Sequence, residues 1–127
     1  MSKPLIFLLF FAAAVLSGCA GSLATADGER LRISSAEFAD YAEQVFRLQN
    51  EVLDALAFAL DDYPDDIGLL NAEEAVLEAC VEINELAVRR QRGGGTRVVR
   101  DMRAAQSVPA CDAAAVMASE VVRSRGL

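Results

Sequence analysis

Beyond residue 35, apolar residues recur every three or four positions over most of the chain, and that period is helical. Phe38, Tyr41, Val45, Leu48, Val52, Ala55 and Ala59 form one stripe, widened by Phe46, Leu53, Leu56 and Leu60. The spacing predicts a long amphipathic helix with a broad buried face. Ser34-Ser35-Ala36-Glu37 reads as a capping box, with Ser34 as the N-cap and Glu37 reaching back. Tyr63-Pro64 ends this helix near Asp61, because the residue before a proline avoids helical geometry. Glu43 and Arg47 make a favourable i, i+4 pair on its outer side. A second stripe, Val76, Cys80, Ile83 and Ala87, is flanked by Leu77, Val81 and Val88. Asn71 supplies its cap, with Glu73 and Glu74 in the first turn. Arg89, Arg90 and Arg92 gather at its far end, and Gly93-Gly94-Gly95 stops it. Thr96 to Gln106 predicts a short helix with Val98, Val99 and Met102 on its apolar side. Ser107 then caps a last helix that tolerates Pro109 in its first turn. Its inner stripe is Cys111, Ala114, Ala115, Ala118, Val121 and Val122. No segment shows strand alternation. The expected fold is all-α, an up-down bundle of three main helices plus one short helix.

The first residues follow a different pattern. Leu5 to Leu16 is an unbroken apolar run of twelve residues just after Lys3, and it ends in Leu16-Ser17-Gly18-Cys19. A charged start, an apolar middle and small residues at the end make a secretory signal peptide. The run is shorter than the roughly 20 apolar residues of a spanning helix. Because no charge occurs between Pro4 and Ala26, an uncleaved anchor stays open beside a cleaved one. The tetrapeptide ending at Cys19 resembles the lipobox of bacterial lipoproteins. The resemblance implies cleavage before Cys19 and acylation of that cysteine. It also implies delivery to the outer membrane, since Ala20-Gly21 and not Asp follows. Two or more acyl chains suffice for stable attachment. The implied organisation is a signal peptide over 1–18, a lipidated N-terminus and flexible tether over 19–32, and a helical domain over 33–127.

The resemblance also settles an odd cysteine count. The chain has three cysteines, and lipid on Cys19 leaves Cys80 and Cys111 as the one possible pair. An oxidising compartment favours a disulfide between them; two buried free thiols are the alternative. Both residues fall on core-facing stripes, as a staple between helices requires. There is no C-x-x-C motif of the redox-active kind.

Charge changes the picture next. All nineteen acids lie after residue 19, with eleven arginines, and the single lysine is Lys3. From Asp27 to Glu85 there are sixteen acids and three arginines, whereas Arg89 to Arg103 holds six arginines and only Asp101. Arg89, Arg90, Arg92, Arg97, Arg100 and Arg103 are therefore the candidate partner-binding residues. Either they pack beside the acidic helices, or they meet an anionic partner such as phospholipid headgroups. The acidic whole and the implied compartment argue against nucleic acid. Asp61 to Asp66 is an acid-rich turn without EF-hand spacing, so no metal site is expected.

Catalytic chemistry finds little support. The chain has no histidine, which removes Ser-His-Asp and Cys-His nucleophile systems and histidine-bearing metal motifs. Without a lysine beyond residue 3, Schiff-base and P-loop chemistry are also removed. Glu74, Glu78, Glu82 and Glu85 share a helix face, which on an amphipathic helix is the solvated one. No cofactor is implied. The expectation is a non-enzymatic binding or adaptor protein of the envelope, held by its lipid and meeting a protein partner. The alternative is an inhibitor or immunity-type lipoprotein that masks a hostile enzyme with the acidic stretch from Asp61 to Glu85. A lipid or small-ligand carrier would need an interior pocket; the alanines on the inner faces point instead to close helix packing.

Overall fold

The computed structural model describes residues 21–127; Cys19 and the signal segment lie outside the described residues. The first described element is not the expected tether. Strands β1 (Ser22–Ala24) and β2 (Arg30–Arg32) form an antiparallel hairpin, with Leu23 opposite Leu31. Those two leucines and Ile33 pack on the core. The loop between the strands closes on itself: the Thr25 amide donates to Glu29 O at 2.8 Å, and the Gly28 amide donates to Thr25 O at 3.0 Å. Gly28 takes a φ of 94°, a conformation that costs glycine little. The strands are too short to show alternation, but Asp27-Gly28 between Leu23 and Leu31 was the available turn signal.

Helix α1 spans Ala36–Asp62. Its cap is Ser35, one residue later than the capping box suggests. The Ser35 side chain accepts from the Phe38 amide at 3.1 Å, satisfying one of the donors a helix start leaves open. Phe38, Val45, Val52, Leu56 and Ala59 are buried along one side. The helix stops before Pro64 as expected, with the Tyr63 amide donating to Ala59 O at 2.9 Å.

The second predicted helix is two. Helix α2 spans Ile67–Ala79 and helix α3 spans Val81–Gln91, meeting at Cys80. The start is five residues earlier than a cap at Asn71 gives, because Asp66 is the cap and accepts from the Leu69 amide at 3.0 Å. Cys80 has φ −99° and ψ 2°, so the chain bends there while hydrogen bonding continues on both sides of it. Gly93, at φ 73°, then turns the chain beyond α3.

The last two predicted helices are one. Helix α4 runs unbroken over Val98–Ser124 with Pro109 inside it. Ser107 is not a cap; its hydroxyl donates to Ala104 O at 2.7 Å. Proline normally breaks a helix interior because it lacks a donor and crowds the preceding turn. Here burial of Ala104, Val108, Cys111, Ala115, Ala118 and Val122 along one stripe outweighs that cost.

The result is an all-α bundle with an up-down-up course, its descending arm broken into α2 and α3. Helix α4 packs against each of the other helices. Its small inner residues let the neighbours approach closely. Three rungs fix α4 antiparallel to the descending arm: Asp66 to Arg125 at one end, Cys80 to Cys111 in the middle, and Arg89 to Asp101 at the other end. The Cys80–Cys111 disulfide is formed, with Cα atoms 4.7 Å apart and both residues at 0 % exposure.

Candidate functional site

The bundle has two chemically different ends. The turn Tyr63–Asp66, with Asp61 and Asp62 before it, lies at one end. Asp66 is engaged there: Arg125 donates to both of its oxygens at 2.7 Å through Nε and Nη2. This fork and the Leu69 amide hold the Asp66 carboxyl down to about 2 and push the Arg125 guanidinium up. Gly68 makes room for the fork, since a Cβ there would collide with Arg125 Nη2. Asp61, Asp62 and Asp65 stay exposed. Among the described residues, no group of three or more His, Cys, Asp or Glu side chains is placed to hold a metal ion.

The opposite end gathers the start of α1, the end of α3, the start of α4 and the open end of the hairpin. The candidate arginines divide here. Arg89 turns inward from α3, and its Nη2 meets Asp101 Oδ1 at 2.5 Å. The i, i+4 spacing to Glu85 suggests a different partner; Asp101 wins because α4 brings it to the shielded side of α3. Arg103 leans toward Glu82 at 3.8 Å. Arg90, Arg92, Arg97 and Arg100 are exposed, and among the described residues none of them joins an ion pair. Beside them Val98 and Val99 are each 74 % exposed. An apolar groove of about 630 Å³ opens on the same end, lined by Ile33, Phe38, Leu86, Val98 and Met102, with Arg90 at its rim.

A second cleft, of about 960 Å³, lies on the other flank of α1 and was not foreseen. It joins the hairpin loop to the middle of α4. The Tyr41 hydroxyl donates to Asp112 Oδ2 at 2.8 Å and accepts from the Ala26 amide at 3.3 Å. Partial burial, and then the Asp112 hydrogen bond, push the Tyr41 phenol up to about 12. Asp27, whose carboxyl is lowered by a hydrogen bond from the Thr25 hydroxyl, sits on the rim with Glu29, Glu37 and Asp40. The sequence placed Tyr41 in the core stripe. The Ala26 amide of the hairpin and Asp112 of α4 together give its hydroxyl a polar, acidic surrounding.

Under the surface, Gln49 is 0 % exposed on the buried stripe of α1. Its amide nitrogen donates to Asn84 Oδ1 of α3 at 2.6 Å, and Asn84 returns a longer bond at 3.4 Å. Gln49 Oε1 lies 3.8 Å from Cys111 Sγ, but a bridged sulfur has no proton to donate. These amides tie helices together and offer no reactive group. No protein-family model, curated protein or solved structure matches this chain.

Proposed function

We propose that this protein is a bacterial envelope lipoprotein, anchored to the outer membrane through Cys19, whose periplasmic domain binds a protein partner without catalysing a reaction. The observation that carries the reading is the motif at Cys19, followed at once by a folded hairpin. Leu16-Ser17-Gly18-Cys19 matches a cleavage point before Cys19, and shortly after it the Gly21 carbonyl accepts from the Ile33 amide at 2.6 Å. The described side chains favour binding over chemistry: a disulfide-stapled core, a buried amide pair, and charged surfaces of opposite sign.

Fractionation of wild type beside Cys19→Ala tests the anchor. Wild type is expected in outer-membrane fractions, with the variant soluble or held as an unprocessed precursor. A processed variant that stayed in the membrane would remove the lipid from the reading. Crosslinked pull-down from membranes tests the adaptor role, for which a reproducible partner is expected.

The inhibitor reading, expected on the stretch from Asp61 to Glu85, stays the alternative, and the acidic cleft around Tyr41 offers it a different surface. Five carboxylates face it, from Asp27, Glu29, Glu37, Asp40 and Asp112, with no arginine in its lining. Such a surface complements a cationic active site. A neighbouring gene for a secreted toxin or hydrolase would favour this reading over the adaptor.

A further inference from the structure

We infer that the arginine end of the bundle is a docking face for an anionic phospholipid surface, so that the domain rests on the bilayer that anchors it. The inference deepens the proposed function and rests on its lipid anchor. Three observations converge on this end.

The first is the length of the leash. The expected tether ran from Cys19 to Arg32, but the hairpin takes up residues 22–32. Gly21 is pinned to the domain, its carbonyl accepting from the Ile33 amide. Only Ala20 lies between Cys19 and Gly21, and each of the two steps spans at most about 3.6 Å. An acylated Cys19 therefore lies within roughly 7 Å of Gly21. Part of the domain must touch the membrane, and the part nearest Gly21 is the first available.

The second is what surrounds that point. Ile33, the partner of Gly21, lines the same apolar groove as Phe38, Val98 and Met102. Val98 and Val99 project into solvent beside it, each 74 % exposed. Exposed valines next to an attachment point suit the boundary between headgroups and acyl chains.

The third is charge. Arg90, Arg92, Arg97 and Arg100 are exposed between the end of α3 and the first turn of α4, and Arg32 stands at the open end of the hairpin opposite Ser22. Three of the acids nearest these arginines are already engaged. Asp101 faces Arg89, Glu82 faces Arg103, and Glu43, on the groove wall, pairs with Arg47. Glu85 lies with Arg92 and Arg100 along a neighbouring depression, and the exposed Glu37 and Asp40 at the start of α1 face the cleft on its other flank. Exposed arginines of this kind are attracted to anionic lipid within about a Debye length. The exposed acids of the Asp61–Asp66 turn lie at the far end of the 27-residue α1, roughly 40 Å away at 1.5 Å per residue. Docking the arginine end thus keeps the acidic end clear of a negative surface.

The test uses the intact lipidated protein in vesicles of phosphatidylcholine alone and in vesicles of equal parts phosphatidylcholine and phosphatidylglycerol. Hydrogen exchange is read at the amides of Val98, Val99 and Arg100, which as the first residues of α4 lack helical acceptors. We expect exchange there to slow by about tenfold or more on the anionic vesicles only. Replacing Arg90, Arg92, Arg97 and Arg100 together by glutamine, or raising the salt, should abolish the difference while amides of the α4 core keep their protection. Equal exchange on both vesicles would overturn the proposal. So would a slowing that follows protein density and not lipid charge, since a second copy would then cover this face. Failure to float with either vesicle would instead sink the anchor reading, and docking with it.

Discussion

Gln49 and Asn84 are two neutral amides placed where apolar side chains would serve packing better. Each partner satisfies the other across the α1–α3 contact, so removing one leaves a buried amide without a partner. Asn84→Ala is expected to cost about 1–3 kcal/mol in urea denaturation, whereas Gln49→Leu with Asn84→Leu should recover most of it. A double variant no more stable than Asn84→Ala would refute this account. The Asp66–Arg125 fork makes a different prediction. The folded carboxyl sits near 2, below the ordinary 3.8. The fork therefore stabilises the fold above about pH 4, and its contribution fades as pH falls through 2. Asp66→Asn keeps a capping oxygen, so wild type should exceed it in urea midpoint at pH 7 and meet it near pH 2. At this scale the sequence was partly legible. The i, i+4 pairing of Glu43 with Arg47 needs only helical spacing, and it forms. The Arg89–Asp101 and Tyr41–Asp112 pairs depend on which helices become neighbours, and no local spacing encodes that.

Helix boundaries show where local rules yield to packing. Ser107 and Pro109 together look like a helix start, yet α4 passes through both. Its stripe from Ala104 to Val122 buries residues on both sides of the proline, and the bridge at Cys111 holds the middle in place. Proline in a helix interior costs about 3 kcal/mol. Pro109→Ala is therefore expected to raise the thermal midpoint, with part of that gain offset by the looser unfolded chain. A lower midpoint would mean that the proline ring packs usefully. The break at Cys80 is the opposite case. Its apolar stripe continues through the bend, so periodicity alone reads one helix where the chain makes two. The hairpin escaped notice because three-residue strands carry too few positions to establish a period. Long stripes with caps were legible; short elements stabilised by contact with the core were not.

Over the whole molecule, the fold class and the cysteine pairing could be read because both rest on repeated or counted features. The separation of charge along the bundle could be read only in part. The sequence shows an acidic stretch followed by a basic one; the fold gathers the arginines at one end and leaves Asp61, Asp62 and Asp65 exposed at the other, while Glu82 and Glu85 stay beside the arginines. The disulfide closes a loop with a sequence separation of 31. The chain-entropy model gives it roughly 3–4 kcal/mol. Cys80→Ala with Cys111→Ala should lower the unfolding free energy by about that amount while far-ultraviolet circular dichroism stays helical. A loss below about 1 kcal/mol would place the stability elsewhere.

Complete burial of Cys80 and Cys111 also imposes an order of events. An oxidant cannot reach two sulfurs that the closed core has already covered, so the bond must form while the core is still open. The same barrier works in reverse. Reduction of the native protein should wait on opening of the bundle, and its rate should level off with rising dithiothreitol. Cys80 and Cys111 thus keep a chemical record of surroundings the chain passed through before it finished folding.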